Sequence, residues 1–207
     1  NSTLLHLRRP FYALDARHAW SVYLNDNERT DARYVLGKSV GQFQHREEYY
    51  ELFGGRSRGL DGNWVRRWTY GVSYDSDRFA PEPGIPLGGP LPEDRELAYP
   101  WIGFELVENR FQERMNLDQI RRTEDVLVGL RASARIGYAA EAFGSDRDAV
   151  IASAAVQDGR DLRPGHSVFA AASASGRIED DGIHNGYLGA EGRYYWTTSR
   201  YSKFYAA

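Results

Sequence analysis

The chain has 207 residues, a formal net charge of −3 and 27% charged residues, with a negative mean hydropathy. It holds no cysteine, which excludes disulfides and cysteine-ligated metals. No apolar run approaches the roughly 18 residues of a transmembrane helix, and the charge gives no general attraction for nucleic acid.

None of this excludes a membrane β-barrel, whose alternating strands average out as hydrophilic. The 14 Tyr, 9 Phe and 5 Trp suit a protein with rings at membrane interfaces. The chain opens at Asn1 without a charged-then-apolar leader, as expected of a processed chain or of a fragment.

In chain order, residues 1–10 read as a lead-in ending in Arg8-Arg9-Pro10. Alternation begins at Phe11. Tyr12, Leu14, Ala16, His18, Trp20, Val22 and Leu24 share one face, and Ala13, Asp15, Arg17, Ala19, Ser21 and Tyr23 the other. Asn25 to Glu28 reads as a polar turn. A strand is expected around Glu47–Ser57, with Gly54-Gly55 allowing a bulge. Asp61-Gly62 is a hairpin signal.

The segment from Asn63 to Asp75 carries the clearest pattern. Trp64, Arg66, Trp68, Tyr70, Val72 and Tyr74 fall on one face. Val65, Arg67, Thr69, Gly71 and Ser73 fall on the other, which is mostly small and polar. The run is longer than the usual strand of about 5–6 residues and matches the roughly 9–11 of a tilted bilayer-crossing strand. It therefore reads as a lipid-facing aromatic surface backed by a wet interior.

Residues 76–98, rich in Pro and Gly, read as a long surface loop on the outside of the cell. A strand is expected over Trp101 to Arg114, then a polar stretch over Asn116 to Glu124. Asp125 to Tyr138 reads as one continuous strand, with Val126, Val128, Leu130, Ala132, Ala134, Ile136 and Tyr138 opposite Leu127, Gly129, Arg131, Ser133, Arg135 and Gly137. Gly144 to Asp148 is a turn. Ala149–Gln157 and Ser167–Arg177 are small-residue strands with a turn over Asp158 to Gly165 between them. Glu179 to Gly182 turns again. Gly186–Thr198 is a strand, and Tyr201–Ala207 begins another. The pattern predicts about eight strands and the start of a ninth, at hairpin spacing, with no helix and no interdomain linker.

Arg9-Pro10-Phe11-Tyr12-Ala13-Leu14-Asp15 ahead of an alternating strand, the long strands that follow, and Tyr99-Pro100-Trp101-Ile102-Gly103 resemble the barrel portion of the bacterial surface antigen (D15), or Omp85, superfamily. The resemblance implies a barrel of sixteen strands, periplasmic modules ahead of it, and an Arg-Gly-Phe/Tyr motif on a loop folded into the lumen. Here no βααβ pattern occurs, the Arg58-Gly59 pair is followed by Leu60, and the chain ends Tyr205-Ala206-Ala207 rather than on an aromatic. These departures fit a barrel cut roughly in half.

The expected fold is an antiparallel up-and-down transmembrane β-barrel, whole or incomplete. Residues 1–207 would form one outer-membrane domain or the N-terminal part of one. Arg67, Arg131, Arg135, Glu191 and Arg193 are the candidate lumen-lining residues, where opposite charges can pair across strands. Trp20, Trp64, Trp68, Tyr70, Tyr74, Tyr138, Tyr194 and Trp196 are the candidate membrane girdle.

The five histidines lack zinc-site spacing, and no Gly-x-Ser-x-Gly elbow occurs. Gly54 to Gly59 lacks the Lys-Ser/Thr of a phosphate loop. Nothing in the sequence brings Glu105 and Glu191 together as a catalytic pair. The expectation is a non-enzyme without cofactor or metal. It would sit in the bacterial outer membrane with the lipid bilayer as partner and no nucleic acid. By resemblance, it would insert or translocate unfolded or secreted client proteins. The alternatives are a small passive pore or adhesion barrel, if the strands close on themselves, and a soluble lipid- or glycan-binding β-sandwich.

Overall fold

Long alternating runs joined by tight turns pair with their chain neighbours. The computed structural model describes residues 1–115, 122–199 and 202–206. Strands β1 (Ser2–Arg9), β2 (His18–Val35), β3 (Lys38–Asp61), β4 (Trp64–Pro81) and β5 (Arg95–Glu108) follow one another in one antiparallel sheet. A separate hairpin comes next, of β6 (Phe111–Met115) and β7 (Thr123–Leu127). The sheet resumes with β8 (Arg131–Ala139), β9 (Ala149–Arg163), β10 (His166–Glu179), β11 (Gly182–Ser199) and β12 (Ser202–Ala206). The fold is all-β, antiparallel and up-and-down, with ten strands in the main sheet. The sheet is open: among the described residues β1 pairs only with β2, and β12 only with β11. Closure between β2 and β11 is therefore not formed.

One rule of register organises the sheet. Outside a few bulges, odd residues stand opposite odd residues from β2 to β12, as in Glu51↔Ser73, Arg67↔Glu105, Glu105↔Ser133 and Ala171↔Glu191. Side chains alternate between faces, so all odd positions share one face. Nearly every buried strand residue is odd, including Val65, Arg67, Ser73, Leu97, Tyr99, Trp101, Ala149 and Tyr195; Ser76 is an exception. The even face carries Trp20, Leu52, Trp68, Tyr70, Val72, Ile102 and Ile136, all exposed. Tyr70, Ile102 and Ile136 lie side by side in one cross-strand row. The apolar faces around Trp64–Tyr74 and Arg131–Tyr138 therefore do not oppose each other as they would in a sandwich.

Several boundaries differ from the sequence pattern. Residues 2–9 form an edge strand rather than a lead-in, because Leu5 and Leu7 pair with Leu24 and Val22. Residues 10–17 are the loop instead, so the strand starts at His18 and not at Phe11. Asn25 to Glu28 is mid-strand rather than a turn: Asp26 pairs with Glu48 and Glu28 with Arg46. Arg46 reaches Asp26 at 2.9 Å, so polar residues on both faces are accommodated by cross-strand charge. The true turn is Leu36-Gly37, both at positive φ (49° and 77°), which Leu does not advertise.

Gly54-Gly55 is regular strand, and its missing side chains make room for the Tyr70 and Phe11 rings. The bulge lies further on, between Ser57 and Leu60. The long loop shrinks to residues 82–94, since β4 continues to Pro81 and β5 starts at Arg95. Gly62, at φ 59°, makes the expected hairpin turn between Asp61 and Trp64.

Asp125 to Tyr138 is broken at residues 128–130. Hydrogen bonds Val128 N–H to Arg110 C=O and Glu108 N–H to Leu130 C=O, each 2.8 Å, divert the chain so that Val128 is buried. The expected polar stretch over Asn116 to Glu124 falls partly on residues 116–121, outside the described residues. The turn over Asp158 to Gly165 contracts to Pro164-Gly165, because β9 pairs with β10 up to Arg163.

A Cβ at Gly71, on the inner face, would collide with the Leu52 carbonyl oxygen and the Trp101 ring. Gly71→Val is expected to lower stability by about 2 kcal/mol through overpacking. Gly192→Val, where nothing lies within 4 Å of the added Cβ, should be near neutral, both read by denaturant unfolding.

Candidate functional site

The odd face gathers most of the buried charge. On β4 and β5, Arg67 Nη1 donates to Glu105 Oε2 at 2.8 Å, and Arg131 Nε on β8 donates to Glu105 Oε1 at 2.8 Å. Arg67 also donates to the Ala13 carbonyl at 3.3 Å and lies 4.7 Å from the Phe11 ring centroid. Loop 10–17 is thereby folded onto the inner face, where Ala16 is buried.

A second group spans four adjacent strands, β3, β4, β5 and β8. Arg135 on β8 donates to Ser73 Oγ on β4 at 2.8 Å and pairs with Glu51 on β3 at 2.7 Å. Its guanidinium lies 3.6 Å from the Trp101 ring centroid. Trp101 Nε1 and Tyr49 OH complete the group, donating to Ser73 Oγ at 3.0 Å and Glu51 Oε2 at 2.8 Å. Contacts that leap from β8 to β3 mean the sheet is rolled toward its odd face. The roll leaves a cavity of about 550 Å³ between Phe11, Phe53, Trp101 and Arg135 on one side and Ser153, Ser173, Ser175 and Tyr187 on the other.

Beyond the aromatic zone, β2, β3 and β4 extend into a polar ribbon. His45 Nδ1 lies 2.9 Å from Asp31, its Nε2 lies 2.9 Å from Asp77, and its ring stacks on Phe79 at 4.4 Å. Arg29 adds a contact to Glu47 at 2.7 Å and Arg95 one to Asp75 at 2.9 Å.

At the same end, the turn after β8 is tied back to β5. Glu96 N–H donates to Asp146 at 3.1 Å, and Ser145 Oγ exchanges hydrogen bonds with Ala98. Partial burial pushes the Asp146 carboxyl upward, but the Arg147 guanidinium and the Glu96 N–H outweigh it and hold the carboxyl below its ordinary value.

The β6–β7 hairpin lies against the inner wall at the opposite end. Arg114 holds Asp161 at 2.6 Å and Ser167 at 3.2 Å, and Arg110 reaches the Gly159 carbonyl at 3.4 Å. Between this hairpin and β9–β11 lies a cavity of about 390 Å³ lined by Asp125, Asp158, Phe169, Glu191, Arg193 and Tyr195, among others.

Of the residues singled out from sequence, Arg67, Arg131 and Arg135 meet on the inner face through Glu105 and Glu51. Glu191 and Arg193 are on the same face but pair with each other at 2.9 Å, apart from that network. Glu51 and Ser73 escaped notice because their partners are distant in sequence. Their odd parity opposite Arg135 was the available signal. Trp20, Trp68, Tyr70, Tyr138 and Trp196 are exposed on the even face, while Trp64, Tyr74 and Tyr194 are half-buried. Tyr74 stacks on Tyr50 at 5.6 Å.

Among the described residues, one trio brings three metal-ligand atoms within 4.8 Å: Glu179, Asp181 and His184, at the β10–β11 turn. Glu179 there is already engaged by Arg177 and Arg147. The inner face is rich in ion pairs, and its Ser73 and Ser167 hydroxyls donate to Glu51 at 3.0 Å and Asp161 at 2.7 Å. No family model, no curated protein and no solved structure matches the chain.

Glu105→Gln strips the mostly buried Arg67 of its carboxylate. A loss of about 3 kcal/mol is expected, because a buried charge without its partner is costly. Arg67→Met combined with Glu105→Leu should recover most of it in denaturant unfolding. Asp146 gives a pH dependence. Its folded carboxyl titrates below the ordinary 3.8, so its stabilisation is present above that value and fades as pH falls through the folded value. The thermal midpoint should drop between about pH 5 and about pH 3, and drop less steeply in Asp146→Asn.

Proposed function

We propose that the chain is the membrane-embedded part of an outer-membrane β-barrel protein. The observation that carries this reading is the even face. Its Trp, Tyr, Ile, Leu and Val side chains are exposed from β2 to β5, on β8 and again on β11, while at the same height the odd face holds the Arg67–Glu105 and Arg135–Glu51 pairs. Among the described residues, exposed large hydrophobics outnumber buried ones. That is the reverse of what water requires of a chain this long.

The belt has suitable height. On β4 it is bracketed by Arg66 and Ser76, which roughly 3.4 Å per residue makes about 34 Å of strand. Tilted by about 45°, that spans roughly 24 Å, against about 25 Å for the apolar band of such barrels.

Hydrocarbon leaves no partner for free backbone groups, so the outer edges of β1 and β12 have to be covered in the membrane. With ten strands in an alternating order, β1 and β12 run antiparallel. An even number of added strands closes the cylinder, and so does direct pairing of the two edges. The resemblance to the Omp85 superfamily favours a role in inserting or translocating client proteins at the outer membrane. The 550 Å³ inner cavity with its serine and alanine wall favours, as second reading, a passive pore.

The native chain is expected to partition into the detergent phase and to aggregate when detergent is removed. A monodisperse monomer in plain buffer would end the membrane reading. To separate the two roles, the protein is reconstituted in liposomes. Faster folding of an unfolded barrel client than in empty liposomes supports the assembly role. Steady single-channel conductance without that acceleration supports the pore.

A further inference from the structure

The outer side of β3 and β4, at the end of the Gly62-Asn63 turn, carries an arginine group that the inner network does not use. The register shift between Ser57 and Leu60 places Arg58-Gly59 as extra chain opposite Arg66. Gly59 takes φ 83°, a value most side chains resist. Ser57 Oγ fastens the bulge, donating to the Arg66 carbonyl at 3.0 Å and accepting from Gly59 N–H at 3.0 Å. The result is a groove of about 620 Å³ lined by Arg56, Ser57, Arg58, Arg66, Asp61 and Trp68.

Charge in this groove is unbalanced. Arg66 reaches only Asp61, at 3.3 Å, and Asp61 is largely exposed. Among the described residues Arg56 and Arg58 have no ion-pair partner, whereas Arg67, Arg131 and Arg135 are all paired. Three guanidiniums around one carboxylate form a site for an anion with several acceptor oxygens, and the fork of Arg suits phosphate. Depth decides the source. Arg56 stands directly opposite Trp68, whose ring packs on Phe104 at 4.9 Å within the apolar belt. Arg66 lies two residues beyond Trp68, away from that belt. Guanidiniums just outside an apolar surface, with a tryptophan at the boundary, match the level of a headgroup phosphate whose chains lie along the rings.

We propose that this groove binds the phosphate of an anionic phospholipid in the leaflet next to the Gly62-Asn63 turn. The proposal rests on the membrane reading above.

The test uses the full chain in maltoside micelles doped with phosphatidylglycerol, with phosphatidylcholine, or supplied with inorganic phosphate. Retained lipid is counted by native mass spectrometry. Phosphatidylglycerol should be kept in preference to phosphatidylcholine. Arg56→Gln with Arg58→Gln should bind it at least about tenfold more weakly, since charge-assisted hydrogen bonds are lost. The double variant should keep its lipid-free unfolding midpoint, because neither arginine has an ion-pair partner to lose among the described residues. Arg78→Gln, at the other end and paired with Glu96 at 3.2 Å, should bind as the parent does.

Undiminished phosphatidylglycerol binding by the double variant overturns the groove and leaves the membrane reading intact. Equal retention of phosphatidylcholine, or full competition by inorganic phosphate, overturns the lipid assignment. A chain that needs no detergent removes both readings together.

Discussion

The constraint on which this structure depends is the parity of its backbone pairing. From β2 to β12, outside the bulges, the registers keep odd residues on one face, and the side-chain period of two leaves no freedom afterwards. A slip of one residue in β4 would carry Arg67 and Ser73 outward and bring Trp68 and Tyr70 in. It would break the pairs with Glu105 and Glu51 and crowd rings against Trp101. The sorting of charge and hydrocarbon to opposite faces thus acts through the ladder as a whole. It explains why the bulges among the described residues lie near strand ends, at Arg33/Tyr34, Ser57/Leu60, His166/Ser167, Ser175/Arg177 and Thr197/Ser199.

The inner ion pairs and the roll of the sheet support each other. Arg135 cannot meet Glu51 across β4 and β5 unless the sheet bends toward the odd face. Small residues on that face, Gly71, Gly103 and Gly137, let the bend bring Trp101, Thr69 and Tyr99 close. On β8 to β10 the odd positions Ser133, Ser153, Ala155, Ser173 and Ser175 fill little space, so the wall facing the ion network stays open and a cavity remains. The two inward-folded segments, loop 10–17 and the β6–β7 hairpin, occupy the end of the sheet that carries the Gly62-Asn63 turn. Arginines hold both: Arg67 on Phe11 and Ala13, Arg110 and Arg114 on β9 and β10. At the other end the sheet extends as the polar ribbon around His45.

Much of this was legible beforehand, and the misses share a cause. The faces of the β4 strand and of Arg131–Tyr138 were readable from alternation alone, because alternation is what a strand does to a sequence. Asp61-Gly62 was readable because glycine supplies the positive φ its turn needs. Leu36-Gly37 was not, since a leucine in the left-handed region leaves no mark. The break at residues 128–130 was invisible for the opposite reason: Val126 to Leu130 keeps perfect alternation, and only hydrogen bonds to Glu108 and Arg110, about twenty residues earlier, redirect the chain. Asn25 to Glu28 looked like a turn because polar clusters usually are. Here both faces of the strand are polar where it runs beyond the apolar belt.

By itself, then, the sequence determined the secondary structure type, the two faces of β4 and of Arg131–Tyr138, and which of their arginines and aromatics belong to which face, while the faces of β3, with rings on both parities, stayed unreadable. Those follow from local geometry and the period of two. Only the tertiary structure decided that Glu51 and Glu105 complete the arginine network and that loop 10–17 and the β6–β7 hairpin lie on the inner face. It also decided that the sheet rolls without joining β1 to β12. These outcomes depend on contacts between strands far apart in the chain, and no local pattern records how far a sheet will bend or which distant partner will satisfy a buried charge.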